Sequence, residues 1–280
     1  MNAEYARSYA QLYRRHWWWR AREEFILAEI SRLKLPAAAQ ILDVGCGDGL
    51  FFDQLARFGR VDGVEISREV VASPRHQANV FICPFDASFD PAQRYDLVLM
   101  LDILEHLERP RQALERALGL LRPGGRVMIT VPAFRGLWTG HDELSGHRDR
   151  YTRRRFSALA ERAGMRIERT GYFFQWLFAA KLLVGLRERL FGGKPAVPKV
   201  PPRPLNWLLY QLSRLEGRGL GRLRLPWGSS LLAVGRAASP AAEPKGLRAK
   251  PASGRAAARV AGRHDWSEHP GVAAAVSAHA

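Results

Sequence analysis

The stretch Ile41-Leu-Asp-Val-Gly-Cys-Gly-Asp-Gly49 limits the fold of this chain more than any other. An apolar run there enters a turn whose last five residues include three glycines. The backbone can bend sharply at such a turn and present bare amides to a ligand. Leu50, Phe51, Leu55 and Phe58 then recur at helical spacing, which predicts a helix over 50–58. Strand, glycine turn and helix open a doubly wound α/β sheet of the nucleotide-binding kind. The dinucleotide fingerprint G-x-G-x-x-G does not fit, because Gly49 comes one place too early after Gly47. Asp43, just before the turn, suits a ligand carrying an ammonium group better than one carrying phosphates.

The pattern continues downstream. Arg60–Ile66 reads as a second buried strand ending in Glu65, an acid about 20 residues past the turn, where this fold places an acceptor for ribose hydroxyls. Val80–Cys83 is a short third strand and Arg94–Leu101 a continuous apolar run fitting a central parallel strand. Leu114, Ala117, Leu118 and Leu121 mark a helix face. Arg122-Pro-Gly-Gly125 reads as a breaker and Arg126–Val131 as the fifth strand. Thr152 caps a helix that Gly164 stops, and Met165–Tyr172 is the sixth strand. The seventh is Ser229–Gly235.

Asp43-x-Gly45-x-Gly47-x-Gly49 resembles motif I of the class I S-adenosylmethionine-dependent methyltransferases. The pair Asp102-Ile-Leu-Glu-His-Leu107 and Leu121-Arg-Pro-Gly-Gly125 is more specific, and resembles the ubiquinone-biosynthesis type of that family. The resemblance covers roughly residues 40–170. It implies a Rossmann-like, seven-stranded, mostly parallel sheet and S-adenosyl-L-methionine as cofactor, and leaves the acceptor open. By the resemblance, Asp43 and the amides of Gly45, Cys46, Gly47 and Gly49 hold the methionine end. Glu65 and Ile66 then meet the ribose, Asp86 and Ala87 the adenine, and Leu101 and Asp102 complete the site. Read from its residues alone, Asp86 is equally a turn-capping aspartate.

Ligands of open α/β sheets sit beyond the carboxyl ends of the strands. The loop from Gly136 to Tyr151 therefore faces the transferred methyl, and it carries His141-Asp-Glu-Leu-Ser-Gly-His147-Arg148. His141 with Asp142, or His106, is the candidate general base, the plainer alternative being local capping. If helical, Asp102, Glu105 and His106 share one face that could hold a divalent cation. A capping and packing role is preferred there, and no metal is assigned. The segment His16-Trp-Trp-Trp-Arg20 and the 141–148 loop together resemble a set of bacterial methyltransferases.

Residues 1–35 read as a helical cap, with Tyr5, Tyr9, Leu12 and Tyr13 on one side and Pro36 as its end. Three consecutive tryptophans cannot share one core, since helical neighbours point about 100° apart. The domain is expected over 36–236, with a helical insertion at 173–228 before the last strand and a disordered tail at 237–280. The chain of 280 residues has a net charge of +16, and between Lys181 and Arg224 ten Lys/Arg stand against two acids. This segment is also apolar. Phe173–Arg187 is too short and too interrupted to span a bilayer, while Leu205, Leu208, Leu209, Leu212 and Leu215 form one stripe. An anionic membrane surface is the expected partner of 173–224, and a lid packed on the domain is the alternative. Cys46 and Cys83 are too few and too poorly spaced for zinc or a disulfide framework.

The expectation is O-methylation, or less readily C-methylation, of a small-molecule or lipid-linked acceptor in the cytoplasm, with a peripheral position at the inner membrane. Competing readings are a nucleic-acid methyltransferase, disfavoured because the basic residues are interleaved with leucines, and a non-catalytic membrane adaptor. A nicotinamide-dependent dehydrogenase ranks last.

Overall fold

The computed structural model describes residues 10–71, 79–192, 198–218 and 225–238. Its centre is a seven-stranded sheet built from β1 (Ala39–Val44), β2 (Gly59–Glu65), β3 (Val80–Ile82), β4 (Tyr95–Leu101), β5 (Leu121–Pro132), β6 (Met165–Phe173) and β7 (Ser230–Ala237). The order is β3-β2-β1-β4-β5-β7-β6, with β7 antiparallel to both of its neighbours and the remaining pairs parallel. The strand order reverses at β1 and β4. The carboxyl ends of β1, β2 and β4 therefore stand together, where such sheets bind ligands.

Continuous apolar runs make the central strands because both faces are covered. In β4, Val98 and Met100 face Leu114 and Phe156, whereas Leu97, Leu99 and Leu101 face Ile26 and Ile30. Leu99 is fully buried, so Leu99→Ala is expected to cost about 2–5 kcal/mol of unfolding free energy in a denaturant titration.

Helices α1 (Trp17–Ser31), α2 (Phe52–Leu55), α3 (Pro110–Gly119), α4 (Gly140–Ser145), α5 (Arg153–Arg162), α6 (Gln175–Phe191) and α7 (Arg203–Arg218) surround the sheet. Four elements depart from the sequence expectation. The N-terminal cap breaks at His16, whose side chain accepts a hydrogen bond from Trp18 N and so starts a new helix. Tyr5, Tyr9 and the tail beyond Ala238 lie outside the described residues. The helix after the glycine turn keeps only four residues, because β2 begins at Gly59. Arg122-Pro-Gly-Gly125 does not break the chain but forms the outer end of β5, where Leu121 pairs with Tyr95 across a bulge. Proline is tolerated at such an exposed strand end. Gly125 is required there, since a Cβ would lie 2.8 Å from Tyr95 O.

The fourth departure is α7. Its leucine stripe points outward, with Leu208 55% and Leu215 68% exposed, and Trp207 is 61% exposed beside it. Its buried side is polar. Asn206 accepts from Trp17 N, Trp176 Nε1 donates to Ser213, Tyr210 donates to Glu24, and Glu216 accepts from the Gln175 and Trp176 amides that begin α6. Polar contacts thus attach α7 to α1 and α6, while Leu209 and the Tyr210 ring pack on the core and the remaining leucines of the stripe face outward. The outer side of α6 likewise exposes Leu183, Leu186, Leu190 and Phe191. No helix among the described residues is long and apolar enough to cross a membrane.

Candidate functional site

The glycine turn follows β1. Gly45, Gly47 and Gly49 have φ of 71°, 56° and 69°, a region costly for any residue with a Cβ. β2 runs so close behind that a Cβ on Gly63 would lie 2.4 Å from Cys46 Sγ. The Cys46 thiol is buried, and desolvation together with the Asp43 and Glu65 charges pushes it well above its ordinary value.

Glu65 is fully buried at the end of β2 and locks this turn. Oε2 accepts from Gly47 N at 3.1 Å, and Oε1 accepts from Ile66 N at 2.8 Å and Ser67 N at 3.2 Å. Burial pushes its carboxyl up to about 7 against the lowering effect of those amides. Asp43 is buried beside it, and its Oδ1 has no hydrogen bond among the described residues. Burial and the Glu65 charge push Asp43 up to about 7, with Arg22 opposing. A buried carboxylate oxygen without a donor suits a ligand that brings a cation, such as the ammonium of S-adenosylmethionine. Asp86 is exposed next to Ala87. Its Oδ1 accepts from Ser88 N at 2.8 Å, the turn-capping arrangement.

Sequence reasoning missed Arg22. From α1 it reaches Asp102 Oδ2 at 2.7 Å, and Thr130 Oγ1 donates to Asp102 Oδ1 at 3.0 Å. Asp102 follows β4 with φ of 56°, so it leaves the helical face it was expected to share with Glu105 and His106. Nothing local to the sequence links Arg22 to Asp102, which lie eighty positions apart. With Tyr13, Glu23 and Ile26, Arg22 roofs a small cavity of about 20 Å³ floored by Asp43, Cys46 and Leu101.

Arg22 and Asp102 also line a second cavity of about 240 Å³, together with Trp17, Trp18, Trp19, Glu105, His106, His141, His147, Arg150 and Lys181. Asp142 Oδ1 meets His147 Nδ1 at 2.7 Å and Arg150 Nε at 2.8 Å, while Oδ2 accepts from Arg150 Nη2 and Thr139 N, both at 2.9 Å. Asp142 and Arg150 are each completely buried. Burial alone would raise Asp142, but the His147 and Arg150 contacts hold its carboxylate well below the usual range. Since Asp142 accepts at Nδ1, neutral His147 carries its lone pair on Nε2. Burial lowers His141 to about 4, with Lys181 and His147 adding, so it is neutral at physiological pH.

Glu105, His106 and His147 form a group whose ligand atoms all lie within 4.8 Å of one another. His106 Nδ1 lies 3.3 Å from Gly146 O, which orients that ring too. Glu105 is completely buried, and neither carboxylate oxygen has a hydrogen-bond partner among the described residues. Burial and the Asp102 charge raise its carboxyl well above the ordinary range. His147 replaces Asp102 in the constellation the sequence suggested.

The strand order, the antiparallel seventh strand and a glycine turn after β1 define the class I methyltransferase fold. The chain belongs to the methyltransferase-domain family, which matches residues 18–170. It is 32% identical over 109 residues to a ubiquinone biosynthesis O-methyltransferase of Bradyrhizobium diazoefficiens, covering 36% of this chain and 43% of that protein. The one from Xanthomonas axonopodis pv. citri is 30% identical over 119 residues, covering 39% and 48%. The chain therefore spans less than half the length of these curated relatives. A methyltransferase solved in complex with the Haloferax volcanii Trm112 methyltransferase activator superposes with a TM-score of 0.53 at 20% identity, covering 85% of this chain and 96% of that one.

Proposed function

We propose that this protein transfers the methyl group of S-adenosylmethionine to a hydroxyl of a small acceptor held in the cavity beneath α1 and α6. The observation that carries the reading is the Asp142–His147 couple. Its histidine opens on the cavity that Arg22 and Asp102 line, and Arg22 also lines the small neighbouring cavity over Asp43 and Cys46. The cofactor supplies a methyl already activated on a sulfonium, so the chain's own share is to align the nucleophile and remove its proton. Asp43 and the Gly45, Cys46, Gly47 and Gly49 amides hold the methionine end, with Arg22 as a further anchor. Glu65 and Ile66 hold the ribose, and Asp86 and Ala87 border the adenine. His147 takes the hydroxyl proton at Nε2 with Asp142 fixing its tautomer, while His106 and neutral His141 orient the acceptor. Calorimetry with S-adenosylmethionine and NAD tests this reading. Selective binding of S-adenosylmethionine is expected, and preference for NAD would overturn it.

The acceptor is drawn from a membrane surface. The outward leucines and tryptophan of α7, the exposed leucines of α6 and the flanking Arg187, Arg189 and Arg203 combine apolar area with positive charge, the composition of an interfacial helix. Association with anionic vesicles in a flotation assay should fall at least tenfold on Leu208→Glu/Leu212→Glu substitution, while S-adenosylmethionine affinity stays unchanged. Equal flotation of both proteins would sink this part of the reading.

Glu105 favours a second reading of the chemistry. A divalent cation held by Glu105, His106 and His147 would satisfy the unpartnered carboxylate and acidify the acceptor hydroxyl. Titration with Mn²⁺ should then show a single site that Glu105→Gln weakens at least tenfold. Absence of cation binding would leave His147 as the base.

A further inference from the structure

Three cations border the larger cavity, and two of them are already committed. Arg22 reaches Asp102, and Arg150 is bidentate to Asp142 with its remaining Nη1 donating to Ala133 O at 2.9 Å. Lys181, in the second turn of α6, makes no hydrogen bond or ion pair with any described residue, although it lines the cavity beside His141 and Leu177. No described acid forms an ion pair with it. Asp102 is held by Arg22, and Asp142, next to the lining residue His141, by Arg150. His141 stays neutral. Desolvation, with Arg150 adding, lowers the Lys181 ammonium to about 8, against the pull of Asp142 and Asp102. The cavity thus keeps one cation that no described side chain contacts directly. An ammonium at the wall of a cavity lined by aromatic side chains is unfavourable unless something pairs with it. A leucine or methionine would fill the same helical position without that cost.

We propose that Lys181 is the specificity anchor of the acceptor, and that the molecule methylated carries an acidic group, a carboxylate or a phosphate ester, which pairs with Lys181 Nζ. This rests on the reading of the cavity as the acceptor site. A lysine recognises such groups as a point charge on a long stem, without the fixed fork of arginine. Selection by charge would then be carried by the segment between β6 and β7, since α6 provides the only uncommitted cation among the described residues of the wall. The following residues Leu182, Leu183 and Leu186 are exposed, so the acid can arrive either on a lipid headgroup or on a soluble acceptor.

The test titrates wild type, Lys181→Met and Lys181→Arg with phenyl phosphate, benzoate and neutral phenol by calorimetry. Dihexanoyl phosphatidate below its micelle concentration is added as a competitor. Wild type should prefer an anionic probe to phenol by at least tenfold, Lys181→Met should lose that preference, and Lys181→Arg should recover most of it. Displacement of phenyl phosphate by phosphatidate would mark a lipid-borne acid, and failure to displace it a soluble one. Equal binding of phenol and the anions, no anion binding to wild type, or an intact preference in Lys181→Met would each overturn the proposal. S-adenosylmethionine is titrated into the same three proteins and should bind alike. Its failure to bind wild type would sink the methyltransferase reading while leaving the anion result to stand by itself.

Discussion

Glu65→Gln is expected to keep the fold and weaken S-adenosylmethionine binding by about a hundredfold in calorimetry. A carboxylate that accepts from two ribose hydroxyls makes two charge-assisted hydrogen bonds, worth about 1.5–3 kcal/mol each. Each 1.4 kcal/mol is about a factor of ten in affinity. An amide retains the shape but turns one acceptor into a donor, and its Nε2 would also oppose one of the Gly47, Ile66 or Ser67 amides. The pH dependence separates this role from a packing role. Glu65 and Asp43 both titrate near 7 in the free protein, and both must be ionised to receive hydroxyls and an ammonium. Affinity should fall as pH drops below about 7 and level off above it, and in Glu65→Gln only the Asp43 part of that slope should remain. The stability effect has the opposite sign. A folded carboxyl raised from 4.5 to about 7 holds a proton that the unfolded chain has lost, so its contribution to stability declines as pH rises through that window. Unchanged cofactor affinity in the variant would remove Glu65 from the site.

Asp142→Asn is expected to lower stability by about 3–5 kcal/mol, roughly 10 °C in Tm, because it leaves the guanidinium of Arg150 buried without its counter-charge. Arg150 and Asp142 are both completely buried, so water cannot replace the lost pair. Here the folded carboxyl lies below its unfolded value. The stabilisation is therefore present at neutral pH and lost as pH falls through the acid range below about 4. Arg150→Lys keeps the charge but not the two-pronged contact and should recover only part of the loss. If thermal unfolding of Asp142→Asn matches wild type at pH 7, the pair holds nothing together.

Much of this was legible in the residues. Continuous apolar runs and glycine breaks set the strands, and the positions after β1, β2 and β4 were readable because each lies at a junction between local patterns. The 141–148 loop was legible as a site but not as a circuit. His141 and Asp142 are neighbours in sequence, yet neighbours on a helix point in different directions, and the histidine that meets Asp142 is five residues on. The leucines of α7 were legible as a stripe, but not which of its residues would hold the helix to the domain. Asn206, Ser213 and Glu216 offered specific hydrogen bonds to α1 and α6 that the leucines could not.

Backbone chemistry within a few residues, glycine φ angles, caps and strand periodicity, thus decided the class of fold and the expected cofactor end of the site. Contacts between distant segments decided the rest. Arg22 on Asp102, the Asp142–Arg150 pair, the Glu105–His106–His147 group and the place of Lys181 each depend on which elements the closed sheet brings together. Burial then set their charge states, because desolvation depends on the whole surrounding fold and has no signature in any single stretch of sequence.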